Sequence, residues 1–282
     1  MNYCIIIPAH NEEKDLASCL EAFVSQTVIP TELIVVDDNS SDATFKIAQE
    51  FSKNNSWIKV VQNTSSNLHI PGKKVVDTFN FGLQQLTTSY DSIGKFDADI
   101  ILPPNYFEKM LQHFSDHPKL GVCSGLVHIK KGNDWIYENI ADKTHIRGPI
   151  KLYTKACFEK IGGLKPSIGW DTVDVLLAKY HGFETYVDQT LFVKHLRPTG
   201  ISYSKNTKFL QGEALYKMRY GFIISAIASI KSAWKKKSFS YFINNIRGYF
   251  KAKKEKAPFL VSKEEGKYIR KLRWKGIKRK LF

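Results

Sequence analysis

The sequence predicts an α/β chain: a mostly parallel central sheet flanked by helices, followed by a C-terminal helical basic extension. Three observations carry this. Short β-branched runs alternate with stretches of helical spacing through the first two-thirds of the 282 residues, which implies βαβ units. Beyond Pro198 no proline occurs until Pro258, and the spacing reads as helix. The charge is divided as well. Residues 231–282 hold 18 Lys and Arg against 3 Asp and Glu, the whole of the net +15, whereas residues 1–230 hold 24 of each. That division excludes a uniformly basic nucleic-acid coat protein and an acidic disordered chain.

Taken in order, residues 3–7 are a β-rich run and 13–25 carry Leu16, Leu20, Phe23 and Val24 at helical spacing. Residues 32–37 are again β-branched, and Ser41 or Asp42 caps a helix running to about residue 53. A third strand over 57–62 and a helix over 73–86 follow, then a fourth strand over 90–96 that ends in Asp97-Ala98-Asp99. Pro103-Pro104 opens a helix through 113. From 121 to 197 the rhythm loosens, with strands expected over 121–129, 149–153 and 182–187 and a helix over 171–179. Residues 209–250 read as helical, with Gly221 and Gly248 as breaks.

Four cysteines (Cys4, Cys19, Cys123, Cys157) form no CxxC pair and no zinc spacing with histidine. Reduced, buried thiols and a cytosolic compartment are the expectation. No secretory signal is visible. The longest uncharged apolar-rich run, residues 220–230, falls well short of the roughly 20 residues a span needs.

In a parallel sheet, ligands bind outside the carboxyl ends of the strands, and three carboxylate clusters lie there. The first is Pro8-Ala9-His10-Asn11-Glu12. Pro8 stops the ladder, and Asn11 and Glu12 stand at a helix N-terminus, a natural anion site or an ordinary cap. The second is Asp37-Asp38-Asn39-Ser40-Ser41-Asp42, where an aspartate can accept from a nucleobase N–H or serve plain turn chemistry. In the third, Asp97 and Asp99 share one face of an extended segment. Two hard oxygen ligands there suit Mg²⁺ or Mn²⁺.

These three motifs, in this order and at strand ends, resemble glycosyltransferase family 2 of the bacterial surface-glycan type, over about residues 2–200. The resemblance implies a GT-A (nucleotide-diphospho-sugar transferase) fold. Residues 1–200 would be the transferase domain, 1–102 its nucleotide-binding half and 103–200 its acceptor half, with 201–282 the extension. It implies that Pro8, Ala9, Glu12 and Asp38 line the nucleotide pocket, in the motif that includes His10 and Asn11. Asp38 would face the base, Asp97 the ribose or metal, and Asp99 the metal. Lys73 or Lys74, after Pro71-Gly72, would meet the base or a phosphate. His195 resembles a metal- or phosphate-binding position, and Arg197 would touch the diphosphate or stand as a surface cation.

An inverting transfer also needs a base for the acceptor hydroxyl. The family usually has a Gly-Gly pair followed by an acidic pair opening a helix. Here Gly162-Gly163 precede Trp170-Asp171, with Trp170 replacing the first acidic residue. Asp171 looks like the base, and Asp174, one turn on and on the same face, is the alternative. Trp170 stacks on an acceptor or fills core. His10, His69 and His145 have no evident partner.

The Gln-x-x-Arg-Trp motif of processive members is absent, since Arg273-Trp274 lacks the glutamine, so one sugar per encounter is expected. No Walker loop, GxGxxG, HExxH or nucleophile elbow is found. The implied donor is a nucleotide-sugar, most often a UDP-sugar. The implied acceptor is a surface glycan or its lipid-linked precursor. Over 209–282 aromatics interleave with lysines, which suits a helix in an anionic membrane interface better than nucleic-acid binding, with a solvated, partly disordered tail over 251–282 as the other reading. The expected place is the cytoplasmic face of the membrane. The rivals are a nucleotidyltransferase, which would carry a Gly-rich basic loop after the first strand, and a non-catalytic scaffold that keeps the fold.

Overall fold

The computed structural model describes residues 1–65, 72–198 and 208–281. The chain opens with β1 (Tyr3–Ala9), α1 (Leu16–Val24), β2 (Glu32–Asp38), α2 (Thr44–Asn54), β3 (Ile58–Asn63), α3 (Lys73–Gln84) and β4 (Ser92–Phe96). β1 pairs in parallel with β2 and β4, and β2 with β3. All of β2 and all of β1 except Pro8 is buried. Alternation sends Ile5, Ile7, Leu33 and Val35 against Leu16, Leu20 and Phe23 of α1. It sends Cys4, Ile6, Ile34 and Val36 against Val76 and Phe79 of α3. A sheet covered on both faces needs near-continuous apolar strands, and these runs supply them.

β5 (Ile100–Ile101), α4 (Tyr106–Asp116), β6 (Leu120–Lys131), β7 (Asp134–Tyr137), β8 (Ile150–Thr154), α5 (Lys155–Lys160), α6 (Trp170–Tyr180) and β9 (Glu184–His195) follow. The sheet order is β3-β2-β1-β4-β8-β6-β9-β5, with β7 beside β6. The expected parallel pairing holds across β3-β2-β1-β4, but β8 runs antiparallel to β4 and β6. The sheet is therefore mixed. The physical reason is connectivity: β6 turns into β7 through Gly132-Asn133, and no helix lies between β7 and β8 to carry a parallel return. Two helices begin later than the spacing predicts. The Asp15 and Leu16 amides both donate to Glu12 O, and the Tyr106 amide donates to Pro103 O, so residues 12–15 and 103–105 are spent in turns.

The extension is α7 (Leu210–Lys217), α8 (Phe222–Lys235), α9 (Phe239–Lys254) and α10 (Lys263–Leu281). Gly221 breaks the helix as expected, at φ +75°. Gly248 does not: it lies inside α9. A Cβ on it would stand 2.1 Å from Phe209 O, and one on Gly212 would stand 1.8 Å from Asn245 O. The two glycines let the backbones of α7 and α9 approach. The real break falls at Lys237 (φ 48°) and Ser238, whose Oγ caps α9 by accepting from Tyr241 N. Ala214, Leu215, Met218, Ile224 and Ile269 join Val173 and Leu176 of α6 in one core, and Tyr268 Oη donates to Lys179 O at 3.1 Å. The four cysteines are buried and free. Among the described residues no helix is long and apolar enough to cross a membrane.

Candidate active site

The carboxyl ends of β1, β2 and β4 open into a cavity of about 560 Å³. Pro8, Ala9, His10, Glu12, Asp38, Asp97, Asp99 and Arg197 all line it, together with Lys74, Val75 and Thr78 of α3. Sequence neighbours divide their work. Asp37 and Asp38 are both buried, but only Asp38 reaches the cavity. It accepts from Thr78 Oγ1 (3.0 Å) and Asn63 Nδ2 (3.2 Å), and Lys74 Nζ lies 3.6 Å from it. Lys73 turns outward to pair with Asp77 at 2.5 Å, so Lys74 is the lysine that meets this site. Asn11 does not line the cavity. Held at φ 56°, it accepts from Ser41 N at 2.8 Å and so ties the β1 loop to the β2 loop. His10 Nδ1 sits 2.6 Å from Asp38 O in the same tie. His69 and Pro71 lie outside the described residues.

β9 brings distant residues to the Asp97-Ala98-Asp99 turn. Ile100 pairs with His195 in the β5–β9 ladder, and the Leu196 amide donates to Asp99 O. His195 Nε2 thereby comes 3.3 Å from Asp99 Oδ1, while its Nδ1 faces Glu138 Oε2 at 3.6 Å. Glu138 is in turn held by Arg147 at 2.8 Å. Ligand atoms of Asp97, Asp99 and His195 lie within 4.8 Å of one another. Two hard oxygens and an imidazole nitrogen fit Mn²⁺ well, and Mg²⁺ through the carboxylates. Arg197 spans three acidic groups: Asp99 and Asp15, each at 3.1 Å, and Glu12.

This crowding moves protons. Burial would lower the pKa of His195, but the Asp99 and Glu138 carboxylates reverse that and hold it at about 9. Burial would raise Asp99; His195 and Arg197 instead hold it below the usual carboxylate range. Burial pushes Glu12 up to about 8, opposed by Arg197 and helped by Asp99 and Asp97.

The first turn of α6 stands outside this cavity, and neither Asp171 nor Asp174 is among its lining residues. Asp171 is half-buried, and its side chain lies over Gly148, where a Cβ would come 3.6 Å from Asp171 Oδ2. Gly148 O accepts from Lys95 Nζ, which also pairs with Asp97. Gly148 thus touches both Lys95, the partner of Asp97, and the Asp171 side chain. Asp174, the alternative, is spoken for: it is buried, accepts from Lys151 Nζ at 2.6 and 2.8 Å and from Val175 N at 2.6 Å, and bonds Tyr153 Oη. Lys151 also donates to Asp171 O at 2.6 Å, pinning the start of α6 to β8. Trp170 is buried core, with Lys95 and Lys151 each 5.3 Å from its ring. His145 is held below its ordinary pKa by burial and by Lys151, with Asp171 opposing.

Sequence reasoning missed Lys95, Lys151, Glu138 and Arg147. Lys95 and Lys151 are direct cross-strand partners, both essentially sealed from solvent. Their signal was a lysine inside an otherwise apolar strand (Ile93-Gly94-Lys95-Phe96 and Ile150-Lys151-Leu152), since a lysine is almost never fully buried unless paired.

Three comparisons bear on this arrangement. The model of the family described as Glycosyl transferase family 2 matches residues 4–166. EpsH of Bacillus subtilis is 27% identical over 155 residues, 55% of this chain and 42% of that protein; the chain spans less than half the length of the curated relatives it matches first. Among solved structures, Staphylococcus aureus TarS in complex with UDP-GlcNAc superposes with a TM-score of 0.58 at 19% identity, covering 78% of this chain and 65% of that one. The mannosyltransferase PcManGT of Pyrobaculum calidifontis, in complex with GDP-Man and Mn²⁺, gives 0.57 at 14% identity over 100% of this chain and 81% of its own. These likenesses are of fold, and the fold is GT-A.

Proposed function

The chain belongs to glycosyltransferase family 2, and we propose that it moves a sugar from a nucleotide-sugar, a UDP-sugar by preference, to a surface glycan or lipid-linked glycan acceptor with inversion. The observation that carries this reading is the convergence of Asp97, Asp99 and His195 beside the Asp38–Lys74 end of one cavity. TarS bound to UDP-GlcNAc and PcManGT bound to GDP-Man and Mn²⁺ support a nucleotide-sugar donor.

In this reading Asp38 and Thr78 receive the base, and Lys74 and Arg197 receive the diphosphate. Arg197 leaves one of its three carboxylates as the donor enters. Asp97, Asp99 and His195 would hold Mn²⁺ or Mg²⁺, which neutralises the leaving diphosphate when bound. Asp171 takes the proton of the acceptor hydroxyl. The acceptor oxygen bonds to the anomeric carbon as the carbon–oxygen bond to the diphosphate breaks, and the nucleoside diphosphate departs. Asp174 acts on this only through Lys151, which holds the α6 start in place. The basic segment 209–282 would lie on an anionic membrane surface at the cytoplasmic face, with no nucleic acid involved. The buried, free thiols and the exposed apolar residues of α8 support that placement.

The test is binding and slow hydrolysis of a UDP-, GDP- and dTDP-sugar panel, with and without Mn²⁺. Asp99→Ala is expected to abolish metal-dependent donor binding. Asp171→Asn is expected to keep donor binding and lose about 10²- to 10⁴-fold in turnover. Absence of donor binding under every condition would instead leave a scaffold that merely keeps the fold.

A further inference from the structure

A second cavity, about 570 Å³, lies between the start of α6 and helices α7, α8 and α10. Its wall is apolar where Leu215, Ile224, Ile227 and Ile277 meet, and cationic where Lys208, Lys236 and Arg273 stand. Asp171 lines it too. Among the described residues none of these three cations forms an ion pair with a carboxylate; Arg273 spends its donors on Tyr220 Oη, and Lys236 lies over the Tyr241 ring. An apolar wall with a cationic rim complements an apolar chain that carries an anionic head.

The neighbouring surface indicates where such a molecule comes from. Ile223, Ile227, Ile230 and Trp234 recur at helical spacing on α8 and are 63%, 36%, 57% and 85% exposed. Lys231 and Lys235–Lys237 flank them. Large apolar side chains exposed along one helix face, rimmed by lysine, suit the interface of an anionic bilayer. The next face of the same helix, Ile224, Ala228 and Lys231, looks into the cavity, and Ile227 belongs to both. The cavity therefore flanks the face that would rest on the lipid.

We propose that this cavity binds the acceptor's lipid phosphate, taking the apolar chain along α8 from the bilayer and seating the phosphate among Lys208, Lys236 and Arg273. The end of the acceptor that carries the reactive hydroxyl is thereby directed toward Asp171. This rests on the reading of Asp171 as the base, but the binding site itself does not require it.

The probe is decyl phosphate below its micelle concentration, titrated into the full chain by calorimetry, against inorganic phosphate and decyl maltoside. Decyl phosphate is expected to bind at least about tenfold more tightly than either control. The charge reversals Lys208→Glu and Lys236→Glu together, and Ile227→Asp separately, are expected to weaken it by at least about tenfold while UDP-sugar binding with Mn²⁺ is unchanged. Unchanged helicity by circular dichroism and an unchanged urea midpoint are required of the variants, since donor binding in the sheet does not report on these helices. Equal binding of inorganic phosphate (a plain anion site), equal binding of the maltoside (a cleft blind to the head), or indifference to the charge reversals each overturns the proposal. Flotation tests the source: the wild type should rise with phosphatidylglycerol vesicles and Ile223→Asp/Ile230→Asp should not. Failure of the wild type to float, or its pairing into dimers through α8 in sedimentation, rejects entry from a bilayer. If decyl phosphate binds as expected and no donor does, the transferase reading fails and the lipid-phosphate site stands.

Discussion

The cavity at the strand ends, proposed above to take the donor, and the cavity beneath the C-terminal helices have nearly equal volumes, about 560 and 570 Å³, yet they are built of opposite materials. The first stands at strand ends, and its charges already answer one another: Arg197 with Glu12, Asp15 and Asp99; Lys95 with Asp97; His195 with Asp99. The second is walled mostly by helices, and Lys208, Lys236 and Arg273 find no carboxylate among the described residues. A site whose charges are paired beforehand is held rigid and exchanges partners when a ligand enters. A site with spare cations and apolar walls gains most from a ligand that supplies an anion and a chain. α6 carries Asp171 into the lining of the second cavity, and Lys151 anchors its start to β8.

The largest expected effect follows from that anchor. Lys151 is fully buried and holds Asp174 and the Asp171 carbonyl together. Lys151→Met leaves Asp174 buried without a counter-ion, which costs about 3–5 kcal/mol. Adding Asp174→Leu removes the orphaned charge and should recover most of the loss in urea unfolding. Turnover should stay low in the double variant even where stability returns, because the α6 start has lost its tie to β8. A change below about 1 kcal/mol in the single variant would mean that Trp170 packing, not the ion pair, holds α6.

A middle-sized effect separates the regions. Gly212→Ala puts a Cβ against the Asn245 carbonyl oxygen, and such overpacking costs about 1–3 kcal/mol. Hydrogen exchange should quicken in α7 and α9 while donor binding in the sheet is kept. Loss of donor binding together with the helices would show that the shared core, which joins Leu215 and Ile269 to Val173 and Leu176, makes one cooperative unit of the two.

The same contrast explains what could be read from sequence. The parallel half was legible because its strands are continuous apolar runs whose ends carry the polar residues, so position marked Pro8, Glu12, Asp38, Asp97 and Asp99 as candidates and the family resemblance supplied their roles. His195 and Arg197 were reachable through resemblance, but only the Ile100–His195 pairing brings them beside Asp99. The second half was not legible to the same degree. β8 turns antiparallel because of how the chain arrives, which no local pattern encodes. Gly248 looked like a break because a glycine inside a helix usually weakens it, whereas here it serves a close approach to Phe209. Lys95 and Lys151 stand out only as lysines that interrupt apolar strands, and what each one holds appears once its partner is placed.

The smallest effect, that of Lys73→Met, belongs to the sharpest test of position. Lys73 and Lys74 are adjacent, chemically identical and, to a reader of the sequence, interchangeable. α3 turns them apart: Lys73 pairs with Asp77 at the surface, while Lys74 enters the donor cavity 3.6 Å from Asp38. A hydrogen bond to a charged group contributes about 1.5–3 kcal/mol, so Lys74→Met should weaken UDP-sugar binding about tenfold or more. Lys73→Met removes only an exposed pair along a helix, worth about 0.3–0.5 kcal/mol, and should leave donor affinity within about twofold. Titrating both variants with the same donor and Mn²⁺ decides it. If Lys73→Met proves the more damaging, α3 enters the donor complex rotated from the position it holds here, and Thr78 cannot be the partner of Asp38 when the base is bound.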